Sequence, residues 1–177
     1  MKKIFINPGH APSGIPDPGA VNVYWNAREA DIAADISIMV ARLLEGAGYE
    51  TLVYQNNSLE AIVQMSNAWD ADYFICIHCN SYVDEAAHGT EVFCFDKSYV
   101  GGRLSSCIQK RIVAKLHTAD RGVKEAGYYV IRYAEAPVAY VETAFISNSS
   151  DCEKLVNRKE EFAEAIFQGI LDFLEEE

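Results

Sequence analysis

One stretch, AYVETAFISN at residues 139–148, runs from an apolar strand through a single glutamate into a polar turn. Strands of this kind lie inside a sheet, where an unpaired carboxylate costs several kcal/mol. Glu142 must therefore be paired, bound to a metal or catalytic. Our interpretation is that Glu142 is a proton-transfer residue, and this directs attention to ligand-type residues elsewhere in the chain.

Composition indicates one folded domain. The chain has 177 residues, of which 50% are hydrophobic and 23% charged. This length suits a single domain with a substantial core, so we expect residues 1–177 to form one domain. We expect that domain to be catalytic, as the site residues below indicate, and to be a monomer. The net charge of −11 argues against nucleic acid and anionic lipid as partners.

No hydrophobic run is long enough to cross a membrane, so we expect no membrane insertion. The N-terminus has two lysines but too few apolar residues to act as a signal peptide. Five cysteines cannot all pair, and their apolar surroundings favour buried free thiols. The spacing of Cys76 and Cys79 matches a redox motif, but it lies in an apolar strand instead of opening a helix.

Hydrophobic periodicity predicts alternating strands and helices. The expected fold is α/β, a mostly parallel (mixed) sheet flanked by helices in a Rossmann-like three-layer sandwich. The predicted strands cover residues 3–6, 50–54, 72–77, 88–95, 128–132 and 138–141. The predicted helices cover 27–45, a segment starting at Ser58 with Ile62, Met65 and Trp69 inward, 100–116 and 158–174.

Four chemically active residues are predicted to meet at one edge of this sheet. His10 follows the first strand, His78 ends the central strand and Glu142 ends the last strand, while Glu29 lies in the first turn of the first helix. Sites in such folds form at the carboxyl ends of the strands. Two imidazoles and a carboxylate are a common catalytic zinc shell, so we predict one zinc ion on His10, Glu29 and His78, with Glu142 as acid/base.

Each residue also has a structural interpretation. Glu29 would complete a capping box with Asn26, although it also points along the buried stripe of its helix. The two histidines would be ordinary loop or strand-end residues. Glu142 would pair with Arg121 or Arg132.

At these residues the chain resembles the zinc-dependent N-acetylmuramoyl-L-alanine amidases of the Amidase_3 family. The resemblance is carried by NPGH at 7–10 with DPGA at 17–20, by Glu29, by IHCNS at 77–81, and by PVAYVE at 137–142 with FISN at 145–148. The chain departs from the family pattern at Ala11, Ile62 and Thr143-Ala144. These departures affect the expected substrate contacts and leave the predicted metal-binding residues unchanged.

The resemblance implies hydrolysis of the amide between the lactyl group of N-acetylmuramic acid and L-alanine, in peptidoglycan or muropeptides. It implies that zinc on His10, Glu29 and His78 activates water and that Glu142 transfers the proton. Asn80 would orient a ligand or substrate. The site of action would be the bacterial cell wall, reached by phage-type release or by excision from a larger exported protein, or the substrate would be wall fragments in the cytoplasm.

Other functions stay open. A related zinc hydrolase would cut a stem peptide or another small amide. A wall-binding or regulatory module would have lost Glu142 or a ligand, and neither is missing here. A nucleotide-binding protein is disfavoured because no GxGxxG sequence opens the first helix.

Overall fold

A computed structural model describes residues 1–176, and Glu177 lies outside the described residues. A six-stranded sheet in the order β4-β1-β5-β8-β6-β7 forms its centre. The strands are β1 (Lys3–Pro8), β4 (Glu50–Val53), β5 (Tyr73–Asn80), β6 (Thr90–Cys94), β7 (Asp120–Glu125) and β8 (Val138–Phe145); β2 (Val21–Asn22) and β3 (Ala27–Arg28) form a separate small hairpin.

The sheet is mixed. Strands β4, β1, β5 and β8 pair in parallel, β6 is antiparallel to β8, and β7 is parallel to β6. The helices are α1 (Glu29–Gly46), α2 (Leu59–Ala68), α3 (Val100–Leu116), α4 (Tyr129–Tyr133), α5 (Ser149–Asn157) and α6 (Lys159–Glu175). The predicted α/β fold, a mostly parallel sheet between helices, is confirmed.

Two apolar cores, one on each face of the sheet, hold the helices against it. The larger core joins one face of the sheet to α1, α3, α5 and α6. The smaller core joins the opposite face to α2 and α4 through residues such as Phe5, Ile62, Phe74 and Val130. Because α2 and α4 are short, they leave the carboxyl end of the parallel strands on this face open, and the candidate site lies there.

Two helices, α2 and α5, begin with a side-chain cap. The Ser58 side chain accepts a hydrogen bond from the Ala61 N–H at the start of α2, and the Asn148 side chain accepts one from the Asp151 N–H at the start of α5. Each cap satisfies a donor that the helix leaves free. The helix predicted from residue 100 to 116 has those bounds in the structure.

Some predictions for individual elements were wrong. Residues 128–132 are not a strand. Tyr129–Tyr133 form the short helix α4, and this helix packs Val130 and Ile131 into the smaller core. Their β-branched and aromatic composition favoured a strand, and tertiary packing overrides that preference. Met65, predicted to face inward, is exposed.

Several elements were not predicted, among them the hairpin strands β2 and β3, and β3 lies where the first helix was expected to begin. Strand β7 is polar and lies at the edge of the sheet, so it lacks the apolar alternation that identifies a strand. Helix α5 is short and carries a mostly polar sequence. Within residues 1–176, none of the helices is long and apolar enough to cross a bilayer.

Candidate metal centre and active site

Glu29 is the centre of the candidate site. It is the first residue of α1 and is buried. One carboxylate oxygen, Oε2, lies 2.9 Å from His10 Nε2 and accepts a hydrogen bond from the Ala20 N–H. The other, Oε1, lies 2.8 Å from His78 Nδ1 and accepts a hydrogen bond from the Cys79 N–H. The amino end of a helix also favours a carboxylate, so Glu29 is held firmly between the two imidazoles.

His10 is positioned by the loop that follows β1. Its backbone has a φ of 63°, in the left-handed region that few residues other than glycine adopt. Its Nδ1 lies 2.8 Å from Asp17 Oδ2, and the other Asp17 oxygen accepts a hydrogen bond from the Gly19 N–H. Asp17 thereby fixes the orientation of the His10 ring and leaves Nε2 directed towards Glu29.

His78 lies near the carboxyl end of β5. Its ring packs 4.5 Å from the Tyr140 ring in a near-parallel stack and 5.1 Å from the His10 ring. One potential ligand atom from each of His10, Glu29 and His78 lies within 4.8 Å of the other two. Three side chains that are far apart in sequence therefore form one compact donor set.

Two glycines line this donor set where no side chain fits. A Cβ on Gly19 would lie 2.5 Å from His10 Cδ2 and 2.6 Å from Glu29 Oε2, and a Cβ on Gly9 would overlap the His78 ring. The backbone therefore approaches the donor atoms closely on two sides. The residues present fit a zinc ion, because two imidazoles and a carboxylate are donors that zinc takes and the surrounding backbone holds them together.

Glu142 lies one strand away from these donors. In the register of the sheet it pairs with His78 on β5 and with Glu91 on β6. Its Oε2 atom is buried and has no hydrogen-bond partner within residues 1–176. Burial raises the pKa of the Glu142 carboxyl well above its usual range, and the negative charges of Glu29 and Glu91 raise it further. A buried carboxyl without a partner is a candidate for proton transfer.

In the donor set, by contrast with Glu142, the pKa of the carboxyl group is lowered. The hydrogen bond to Glu29 raises the pKa of His10 to about 9, against the effect of burial and with help from Asp17. Burial would raise the pKa of Glu29, but the hydrogen bonds from His10 and His78 outweigh it and lower that pKa to about 2. Without a metal, the carboxylate is therefore ionised and His10 carries a proton at neutral pH.

A cleft of about 430 Å³ opens beside this cluster. Its polar lining includes His10, Asp17 and His78, and its aromatic wall includes Tyr128, Tyr129 and Tyr140. Such a cleft offers stacking surfaces and a few polar contacts to an extended ligand. The two histidines of the donor set lie on its lining, where a bound molecule can reach them.

The structural interpretations of Glu29 and Glu142 are wrong. Arg28, not Asn26, precedes the first helical residue, and the Glu29 carboxylate binds the two histidines instead of closing a capping box. Arg121 pairs with Glu91, and Arg132 is exposed on α4, so neither arginine is the partner of Glu142. Asn80 donates a hydrogen bond to Glu91 at 2.7 Å, which gives its side chain a partner in the protein.

Sequence reasoning missed three residues around the site. Asp17 was quoted only as part of a motif, although an acid seven residues from a histidine in a tight loop is a reasonable partner for it. Tyr140 lies two residues before Glu142 and therefore on the same face of the strand. Glu91 had no local signal, because only the pairing of β6 with β8 brings it to Glu142.

The fold and the site together define an α/β domain with a candidate metal-dependent hydrolytic centre. Residues 4–172 match the family Amidase_3, described as N-acetylmuramoyl-L-alanine amidase. This match covers nearly the whole chain, and the chain therefore belongs to that family.

Individual relatives agree with this assignment. The chain is 36% identical over 179 residues to N-acetylmuramoyl-L-alanine amidase LytC of Bacillus subtilis, a match that covers 96% of this chain and 35% of LytC. It is 38% identical over 178 residues to the uncharacterized protein YqiI of the same organism, covering 96% of this chain and 83% of YqiI. The chain thus spans about a third of LytC and most of YqiI.

A solved structure confirms the fold. The crystal structure of N-acetylmuramoyl-L-alanine amidase from Clostridium difficile superimposes with a TM-score of 0.90 at 27% identity, covering 98% of this chain and 97% of that one. The resemblance inferred from the sequence motifs is therefore confirmed at the level of family and fold.

Proposed function

We propose that this domain hydrolyses the amide bond between the lactyl group of N-acetylmuramic acid and L-alanine in peptidoglycan or muropeptides. The single observation that carries the proposal is the convergence of His10, Glu29 and His78 in one donor set, with Glu142 on the adjacent strand. Family membership and the names of its relatives support the choice of substrate.

In this proposal His10, Glu29 and His78 hold one zinc ion. When bound, zinc acts as a Lewis acid that polarises the amide carbonyl and makes water more acidic. Asp17 keeps the His10 ring in place, and the Ala20 and Cys79 N–H groups keep the Glu29 carboxylate in place. Outer contacts of this kind set the orientation of metal-binding side chains.

Glu142 is the proposed acid and base. Beside a bound cation, the pKa that burial raises would fall again, so that the Glu142 carboxylate is ionised and accepts a proton from the attacking water while the new carbon–oxygen bond forms. It then donates that proton to the alanine nitrogen as the carbon–nitrogen bond breaks, so that an amine leaves instead of an amide anion. The products are a lactyl carboxylic acid and a peptide with a free N-terminal alanine.

The aromatic wall of the cleft positions the substrate. Tyr128, Tyr129 and Tyr140 present ring surfaces beside the donor set, and apolar or sugar groups pack on such surfaces. The departures from the family pattern at Ala11 and Ile62 are both buried, and Ile62 also lines the cleft. We also propose that the chain forms a single catalytic domain, that it works as a monomer, and that it acts at the bacterial cell wall, as the description of its family implies.

The test combines metal analysis with product analysis. Purified protein is assayed for zinc content and incubated with peptidoglycan, and the products are identified by mass spectrometry and by N-terminal labelling. We expect one zinc per chain and soluble peptides with new N-terminal alanine, with the glycan sugars intact. Release of peptides that begin at another residue would instead indicate a stem-peptide hydrolase. Zinc-free protein or intact walls would contradict the proposal.

A further inference from the structure

A charged cluster outside the donor set surrounds Glu91. The Glu91 side chain is only 6% exposed. Its Oε2 atom pairs with Arg121 Nε at 2.8 Å and with the ammonium group of Lys124, while its Oε1 atom accepts a hydrogen bond from Asn80. Burial would raise the pKa of Glu91, but these contacts outweigh it and lower that pKa, so the carboxylate is ionised.

The cluster itself, made of Glu91, Arg121 and Lys124, carries one net positive charge. One paired cation neutralises one buried carboxylate, and here two cations share a single carboxylate oxygen. The side chains of Arg121 and Lys124 are 36% and 41% exposed. Arg121 also donates a hydrogen bond to the His88 carbonyl at 3.4 Å and lies over the Phe145 ring.

The surplus charge lies beside the proposed reaction centre. Glu142 on β8 pairs with Glu91 on β6, and β6 pairs with β7, which carries both cations. Neighbouring strands are about 4.8 Å apart, so the backbone of β7 is roughly 10 Å from that of β8. Lys124 Nζ lies 5.9 Å from the centre of the Phe93 ring, and Phe93 in turn packs against Tyr128 of the cleft wall.

This spacing matches the length of a short peptide. An extended chain advances about 3.3–3.6 Å per residue, so the second residue beyond the scissile amide lies about 7 Å from it. The flexible side chains of Arg121 and Lys124 span the remaining distance. A carboxylate at that residue would meet two cations whose geometry is already fixed by Glu91, so little side-chain order is lost on binding.

We propose that Arg121 and Lys124 form a subsite for a free carboxylate on the second residue of the peptide leaving group. This inference rests on the proposed amidase function and specifies the substrate class of the same site. It predicts that the enzyme distinguishes stem peptides whose second residue carries a free carboxyl group from those in which that group is amidated.

The test uses two N-acetylmuramoyl tripeptides, one with L-alanyl-D-isoglutamyl-L-lysine amide and one with L-alanyl-D-isoglutaminyl-L-lysine amide. They differ only in whether the carboxyl group of the second residue is free. For the zinc-loaded wild type we expect kcat/KM to be about fivefold higher for the free acid, the upper range for a partly exposed ion pair. Lys124→Met keeps an apolar stem over Phe93 and leaves Arg121 in place. In this variant the ratio should fall well below its wild-type value, chiefly because KM for the free acid rises.

Two control variants separate charge from structure. Lys124→Arg keeps the charge and should keep the preference, and Lys110→Met removes an exposed lysine on α3 and should leave the ratio at its wild-type value. Equal kcat/KM values for both substrates in the wild type, or an unchanged ratio in Lys124→Met, would overturn the subsite.

Binding of both tripeptides to zinc-loaded Glu142→Gln is measured by calorimetry in parallel. A fivefold binding preference without turnover in the wild type would reject the amidase function and keep the subsite. Turnover of both tripeptides without any preference would keep the amidase function and reject the subsite.

Discussion

His78 on β5 lies directly opposite Glu142 on β8 in a parallel ladder. Residues paired in this way project from the same face of the sheet, about one strand spacing apart. The register thus places a proposed zinc ligand beside the proposed acid and base without contribution from any loop. Since both strands belong to the buried centre of the sheet, their relative position is rigid, as proton transfer requires.

Replacing Glu142 should separate catalysis from metal binding. We expect Glu142→Gln to lower kcat by about 10²–10⁴-fold, the range for loss of a general acid or base. Zinc content should stay at one per chain, because Glu142 is not in the donor set. Turnover of a muropeptide and zinc content measured by atomic emission check both parts. Exposed Glu135→Gln is the matched control, with wild-type values expected for both.

The same variant should show that Glu142 lowers stability. Its pKa is raised in the folded protein, so ionisation costs folding free energy once the pH exceeds the ordinary value of 4.5. In metal-free protein at pH 7, Glu142→Gln should therefore melt at a higher temperature than wild type. The difference should shrink as the pH falls towards 4.5. A lower melting temperature than wild type at pH 7 would show that the carboxylate has a stabilising partner.

Zinc binding should release a proton. The pKa of His10 is raised to about 9 in metal-free protein, so this ring is protonated at pH 7.5, whereas a metal-bound imidazole is neutral. We expect about one proton released per zinc at pH 7.5, and an apparent affinity that falls about tenfold per pH unit below 9. Calorimetry in buffers of different ionisation enthalpy measures the proton count. His88→Ala, at an exposed position, should release the same number; zero protons from wild type would contradict the prediction.

Gly19→Ala should damage the metal centre through close contact. The new Cβ would lie 2.5 Å from His10 Cδ2 and 2.6 Å from Glu29 Oε2, closer than van der Waals contact allows, and the backbone φ at this position is 67°. We expect zinc affinity to fall by at least about tenfold. Gly48→Ala is the matched control, because Gly48 also has a positive φ, at 90°, and its Cβ would have no neighbour within 4 Å among residues 1–176.

Both glycine variants should lose about 1 kcal/mol of stability from the left-handed backbone, and only Gly19→Ala should lose zinc. Chemical denaturation gives the first quantity and a zinc competition assay gives the second. Equal zinc affinities in the two variants would mean that the backbone around Gly19 relaxes without moving the donors.

Asp17→Asn tests whether orientation of His10 matters. The substitution keeps the size of the side chain but removes the charge that faces His10 Nδ1 at 2.8 Å. We expect zinc affinity to fall about 10–100-fold, as for other residues that orient a metal-binding histidine. Asp84→Asn, in an exposed turn that binds the Ala86 N–H, is the control and should bind zinc like wild type. Wild-type affinity in Asp17→Asn would assign Asp17 to loop structure alone.

Much of the fold was predictable because its signals are local. The helix at residues 100–116 was predicted at its observed bounds, because its apolar residues recur with the helical period along the whole segment. His10, Glu29, His78 and Glu142 were predicted to converge because parallel strands bring their carboxyl ends to one edge. Short elements were less predictable. At Tyr129–Tyr133 the residues locally prefer a strand, but packing of Val130 and Ile131 in the smaller core stabilises a helix.

The amino-acid sequence by itself determined which residues are candidates for the chemistry and which strand or helix each one lies on or follows. Side-chain type and hydrophobic period are properties of short segments. Only the tertiary structure decided which charges meet. Arg121 pairs with Glu91 and not with Glu142, because β6 lies between β8 and β7 in the sheet. Strand order depends on the packing of the whole chain, so the partners of a buried carboxylate cannot be obtained from the residues next to it.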